Sequence, residues 1–278
     1  MKQPRAAHRH SSGDSEQWTE HRGQEMLERY YSNTAVFLTS VFLLFSPVTG
    51  SAFPIPERLE FEVSYSGIPA GRAVQEVKQV GEEIPIVSTA KSADWLNLFF
   101  PVDDRIESIL ISGVPPNYIG VPRLYRERIR EGWTRFQKDA VFDRQKLEVI
   151  TTDHLKKSET TSKITRRTYD TLSSFFYFRS VPLQIGTSYF IDIFDCKKLW
   201  NTEVQVLRRE EITTPLGKFK TVLIKPVLKF EGIFARTGDM FIWLTDDDRR
   251  IPVQMKSKVR IGNITATLVG GSYWPAGK

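Results

Sequence analysis

The chain has 278 residues, with 39 basic against 33 acidic side chains and a formal charge of +6. Its single cysteine, Cys196, excludes an internal disulfide. The basic residues are spread along the chain, which argues against a nucleic-acid partner. The small excess suits a solvated face or contact with acidic surfaces such as lipid headgroups.

Residues 1–24 are polar and patternless, and Met26 is a candidate true start. Arg29 then precedes TAVFLTSVFLLF at 34–45, an apolar run too short to span a bilayer comfortably. Pro47 and the small residues Gly50, Ser51 and Ala52 follow. This is the layout of a secretory signal, with cleavage expected near Ala52. No cysteine stands at the cleavage site to carry a lipid anchor. The expected organisation is a signal peptide with a polar extension over 1–52 and one β-rich domain over 53–278. All-β domains reach that size undivided, and it is large enough to bury a sizeable core.

Residues 59–65 alternate apolar and polar, the period of a half-buried strand. Gly67, Pro69 and Gly71 predict a break, and strands are predicted over 72–80 and 84–91 as an antiparallel meander. Ser92 predicts the cap of a short helix over 92–100, ended by Pro101. Strands over 104–112, 118–130 and 133–142 follow. Residues 125–131 are charged on both faces, which predicts an edge strand or the wall of a wet concavity. A hairpin is predicted from 146–152 and 158–169 around Asp153 and His154. Asp170 then predicts the cap of a second helix, 171–178. The last third reads as strands over 188–194, 199–212, 218–230, 239–245, 251–261 and 264–269, with turns at Thr214-Pro215-Leu216-Gly217, 246–250 and Gly262-Asn263. The expected fold class is mainly β: a single curved antiparallel sheet or half-open barrel with two short aromatic helices. Eleven to thirteen strands are predicted, and no strand–helix alternation points to a parallel sheet.

Four blocks carry a family resemblance: FEVSYSGIPAGR at 61–72, DTLSSFFYFR at 170–179, TPLGKF at 214–219, and IWLTDD at 242–247 continuing to RIPV at 250–253. With them the chain resembles an exported bacterial family known as domain of unknown function 3108. The resemblance implies a periplasmic envelope protein of a two-membrane bacterium with a curved antiparallel sheet. It brings no activity, cofactor or catalytic residues.

Residues able to do chemistry are few. His154 is the one histidine after the signal and lies in a predicted turn. Neither a His-rich metal site nor a Gly-x-Ser-x-Gly elbow can be drawn, and no metal or cofactor is expected. Cys196 follows an apolar run and is expected to be a partly buried, inert thiol. Asp103-Asp104 and Asp246-Asp247-Asp248 are the candidate acid–base carboxylates, but both clusters fall where Asp serves turns.

The apolar candidates are stronger. Trp95, Phe99 and Phe100 belong to the first predicted helix, and Phe175, Phe176, Tyr177 and Phe178 to the second; Trp243 lies in a late strand. A curled sheet must fill its concave face. Two aromatic helices can plug it, or leave a groove for an acyl chain. The alternative is that these aromatics are simply core. The expected role is therefore non-catalytic binding of a lipid, a lipoprotein segment or another envelope component. Two alternatives stand beside it: a carboxylate-based hydrolase of envelope polysaccharide, and an envelope scaffold docking a protein partner through a sheet edge. An outer-membrane barrel is disfavoured, because its lipid face would carry charges such as Arg126 to Arg130. The oligomeric state is left open.

Overall fold

A computed structural model describes residues 53–111, 113, 119–227, 239–259 and 261–274. The expected export signal over 1–52 lies outside the described residues. Strands β1 (Glu57–Tyr65), β2 (Ile68–Val77), β3 (Glu83–Ser92), β4 (Asp103–Ile111), β5 (Val121–Glu131), β6 (Thr134–Asp143), β7 (Glu148–Asp153) and β8 (Ser158–Lys163) form the first run. After β9 (Thr168–Asp170) come β10 (Ser188–Phe194), β11 (Leu199–Thr214), β12 (Gly217–Val227), β13 (Met240–Thr245), β14 (Pro252–Lys258) and β15 (Asn263–Gly271). The one-turn helix α1 (Asp94–Asn97) joins β3 to β4, and α2 (Thr171–Ser180) joins β9 to β10.

All strands join one 15-stranded sheet. Each run is a meander, and β1 pairs with β15, so the first and last strands meet in the middle and β8 and β9 are the edges. The sheet curls until its halves meet. Arg144, in the β6–β7 turn, donates to the carbonyls of Pro122 (2.7 Å) and Thr168 (2.9 Å). Ser108 of β4 donates to Asp170 (2.6 Å), and the Tyr125 and Thr171 hydroxyls are bonded at 2.8 Å. Among the described residues the fold is mainly β with two helices, as expected, and has fifteen strands where the sequence predicts eleven to thirteen.

Four local expectations are corrected. The segment 158–169 is not one strand: β8 ends at Lys163, and β9 pairs parallel with β10 at the other edge. The chain is therefore antiparallel except at this one ladder. The doubly charged stretch is no edge. β5 lies between β4 and β6, where cross-strand partners neutralise its charges: Arg128 with Asp139 (2.8 Å) and, facing inward, Glu127 with Lys138 (3.4 Å). The glycines after Tyr65 interrupt only Ser66-Gly67, since β2 begins at Ile68. Finally, α1 spans one turn and Ser92 does not cap it. The Ser92 hydroxyl instead accepts from the Val102 N–H (2.9 Å), tying β3 to β4.

Cross-strand registers divide the concave face into three layers. The lower layer holds the row Glu57–Val77–Ile86–Ser108–Tyr125–Ala140–Thr151 and, below it, Ile84, Leu110, Phe142 and Val149, all buried. α2 fills the space above this row. Asp170 caps the helix by accepting from the N–H groups of Leu172 (2.9 Å) and Ser173 (2.8 Å). Phe176 packs against Phe53 with ring centroids 5.4 Å apart, and Phe178 joins Ile191, Ile193, Val222 and Ile224 on the other half of the sheet. Arg179 ends the helix without exposure. Its guanidinium donates to both Glu57 carboxylate oxygens, stacks on the Phe53 ring at 3.9 Å and reaches the Arg250 carbonyl. A buried charge is tolerated only with such partners.

The middle layer is a polar belt, Gln75–Ser88 on one side and Glu127–Lys138–Asp153 on the other, joined through Ile106. Burial pushes the Glu127 carboxyl up from its usual range while Lys138 opposes the shift. The third layer lies above the belt.

Candidate functional site

The third layer is built from small side chains. One row runs Phe61–Ala73–Ala90–Asp104 across β1 to β4. The next runs Val63–Gly71–Ser92, where the Ser92 N–H donates to the Val102 carbonyl (3.0 Å). Gly71, Ala73, Ala90 and Ser92 stand where the lower layer has Val77 and Ile86. Filling the lower layer and thinning the upper one leaves a pocket of about 440 Å³. At Gly71 a Cβ would come within 2.2 Å of the Lys91 carbonyl oxygen, so only glycine lets β2 and β3 approach this closely here. β2 bulges beside it at Ala70, which falls between the pairs Val63–Gly71 and Ser64–Pro69.

The remaining walls come from α1 and from the turn between β14 and β15. Trp95, Leu96 and Phe100 overhang one side, while Val259 and Ile264 close the other. The Phe100 ring lies on the β5–β6 turn, where a Cβ on Gly132 (φ +56°) would meet it at 2.6 Å. α1 therefore rests on a glycine turn rather than on a packed core, and no residue of the helix is buried.

Several polar groups of this pocket are bonded within the protein, while the exposed Arg72 and Lys91 also belong to its lining. The Trp95 indole N–H donates to the Pro69 carbonyl (2.9 Å), and the Tyr65 hydroxyl donates to the Ile261 carbonyl (2.6 Å). The Ser92 hydroxyl holds Asn97 and Val102. What remains for a ligand is mostly hydrocarbon surface with Arg72 and Lys91 beside it, the lining expected of a site that recognises shape and apolarity. Outside the pocket lining, at the start of β4 and the end of β5, Asp104 hydrogen-bonds Glu131, and Asp104 also accepts from the Arg130 N–H (2.8 Å). Burial, then the neighbouring carboxylate, pushes Glu131 up to about 7; burial also raises Asp104.

The aromatic candidates separate. Trp95 and Phe100 line the pocket, and Phe99 projects from the same loop into solvent at 78% exposure. The other expected groove residues are elsewhere. Phe176 and Phe178 are buried, and Phe175 and Tyr177 pack against the same cores, because α2 is enclosed by both halves of the curled sheet. Trp243 alternates with buried Ile242 and Leu244 and so faces the opposite side of the sheet, where its indole N–H donates to Glu210 (2.7 Å). The residues missed by sequence reasoning are Gly71, Ala73, Ala90 and Ser92. Their signal was readable as small residues two apart on adjacent strands.

The hydrolytic candidates lie at opposite ends of the sheet. Asp103 and Asp104 begin β4, at the pocket end, and Asp103 faces Lys91 (3.9 Å). Asp246, Asp247 and Asp248 lie in the turn after β13, at the far end. Asp247 there accepts from Thr245 (2.6 Å) and the Arg250 N–H (3.1 Å), and Asp246 from Arg209 (2.7 Å). Asp104 and Glu131 do meet, but a direct hydrogen bond leaves no room for a sugar between them, since glycosidase carboxyls stand ~5 Å or more apart. His154 is exposed in the β7–β8 turn, 3.4 Å from Asp139. Cys196 is buried, and burial pushes its thiol well up. Among the described residues no group of three or more His, Cys, Asp and Glu is placed to hold a metal.

These features define a β-barrel-like protein: a meander sheet curled around one helix, with an apolar pocket at its rim. The model of the family described as protein of unknown function, DUF3108, matches residues 60–269, and the chain belongs to that family. The fold is shared with a β-barrel-like protein of the domain of unknown function DUF1849 from Brucella abortus. That protein is 11% identical, with a TM-score of 0.52, and the match covers 80% of this chain and 99% of that one. A protein with a YmcC-like fold from Bacteroides fragilis is 9% identical, with a TM-score of 0.31 over 80% of this chain and 97% of its own. No curated protein matches the chain.

Proposed function

We propose that this protein is an exported, periplasmic envelope protein that binds an apolar ligand, the acyl chain of a lipid or lipoprotein, in the pocket beneath α1. One observation carries the reading: the pocket of about 440 Å³ is lined mostly by hydrocarbon, with the Tyr65 hydroxyl and Trp95 indole bonded internally. Its volume lies in the ~300–1,000 Å³ range of small-molecule sites. A sugar would leave its hydroxyls unpaired there, which favours an acyl ligand over an envelope polysaccharide. Export rests on the apolar run and small residues before Ala52. The edge-docking alternative loses support from the edges themselves. β8 is short, polar and carries Glu159 and Lys163, and β9 has three residues, all buried.

The test is a pocket-filling substitution. The parent chain is expected to bind a fluorescent fatty acid, and Ala90→Leu to weaken that binding about tenfold at unchanged melting temperature. Unaltered binding in Ala90→Leu would move the ligand elsewhere. No binding by the parent would remove the acyl reading.

A further inference from the structure

Most of the exposed large apolar side chains lie at one end of the molecule. Following the strand directions, the turns after β1, β3, β5, β7 and β14 all lie at the pocket end. These turns carry Ile68 (57% exposed), Leu98 (82%), Phe99 (78%), Trp133 (98%), Leu155 and Ile261 (76%), with Trp95 and Phe100 behind them. Toward the opposite end, among the described residues, the exposed large apolar side chains are fewer: Val80 and Ile111, with Val141, Ile150 and Phe190 (66%) on strands. Isolated surface hydrophobics need no explanation, but a set gathered at one end does.

The same turns are basic. Arg130 and Arg135 flank Trp133, Lys156 and Lys157 follow Leu155, and Lys258 stands before Ile261. Lys197 and Lys198 occupy the loop after β10 at this end. The carboxylates nearby are partly engaged: Asp153 and Asp195 each accept two N–H groups of their own turns, and Asp103 faces Lys91. Asp104 and Glu131 are bonded to each other and Asp239 pairs with Lys225 (2.9 Å), while Asp94 in α1 and Glu159 in β8 also lie at this end.

We infer that this end of the molecule docks onto an anionic lipid bilayer, with Trp133, Leu98 and Phe99 inserted at the interface. Aromatic side chains prefer the interfacial zone of a membrane, and flanking Lys and Arg are drawn to anionic headgroups. A protein partner is less suited. The apolar tips come from five separate turns and form no continuous face, and protein interface cores are depleted of Lys. A fluid bilayer accommodates tips of unequal height. The surface argues this independently of what the pocket binds, although docking would bring the pocket mouth to the membrane.

The experiment uses the full chain and vesicles of equal parts phosphatidylglycerol and phosphatidylcholine. Cosedimentation is expected, weakened by high salt. Leu98→Asp combined with Phe99→Asp is expected to lower partitioning about tenfold, and Val80→Asp at the far end to leave it unchanged. Brominated lipid is expected to quench tryptophan fluorescence, with part of that quenching lost in Trp133→Phe. This reads the rim separately from residues 34–45, which every variant retains. Equal losses in Val80→Asp, or identical quenching in Trp133→Phe, would overturn the inference. A dimer in sedimentation that the Leu98→Asp, Phe99→Asp variant dissolves, without vesicle binding, would overturn it in favour of a second copy of the chain. Fatty-acid binding by the same variants separates a failure of docking from a failure of the pocket.

Discussion

The two aromatic helical segments resemble each other in composition and differ in fate. Around α1, Trp95, Phe99 and Phe100 stand at the rim, at 47%, 78% and 42% exposure; in α2, Phe176 and Phe178 are enclosed at 0% and 4%. The difference comes from what surrounds each. α2 has a buried cap, a buried ion pair at its end and sheet on both sides. α1 is a single turn resting on Gly132 and the edge of a layer made of small residues. Aromatic content therefore does not distinguish a core plug from a binding rim; the layer beneath it does.

The comparison predicts unequal responses to mutation. The largest effect is expected at Arg179. Removing it leaves Glu57 buried without its partner, and both side chains are essentially unexposed, so solvent screening is slight. Arg179→Ala is expected to lose about 3–5 kcal/mol in urea unfolding, and the paired substitution Glu57→Gln with Arg179→Met to lose less. Phe176→Ala comes next, at about 3–4 kcal/mol from lost burial and a new cavity. Phe99→Ala, its counterpart at the rim, is expected to stay within about 0.5 kcal/mol. Equal losses at the two phenylalanines would break the contrast between plug and rim.

The last contrast concerns pH. Glu131 at the end of β5 is pushed up to about 7 in the folded chain, against an ordinary value of 4.5. Between those values the folded state holds a proton that the unfolded state has released. Stability should therefore fall as pH rises from 4.5 to about 7 and level off above that. Melting temperatures across this window should show the decline, and Glu131→Gln should flatten it. A slope unchanged in that variant would assign the proton to another group.

Much of the fold was legible because local rules and tertiary structure agree. The alternation through residues 59–65 is β1, with Leu59 and Phe61 inward. Asp170 caps α2 as its position suggested. The failures share a cause. Residues 158–169 looked continuous, but the chain crosses from one sheet edge to the other after Lys163, and a long-range pairing leaves no mark on local periodicity. The charges of 125–131 looked solvated because their partners, Glu107, Asp139 and Lys138, lie on neighbouring strands.

The candidate site divides in the same way. Trp95 and Phe100 were legible as aromatics beside a helix-breaking proline. That they overhang a space, while Phe175 to Phe178 fill one, was not. By itself the sequence determined the strand run, the meander and the two helical segments, because period, turn residues and caps act within a few residues. Only the tertiary structure decided which layer is filled. A cavity is set by the difference in side-chain volume between rows such as Val77–Ile86 and Gly71–Ser92, and those rows exist only once the strands pair in register.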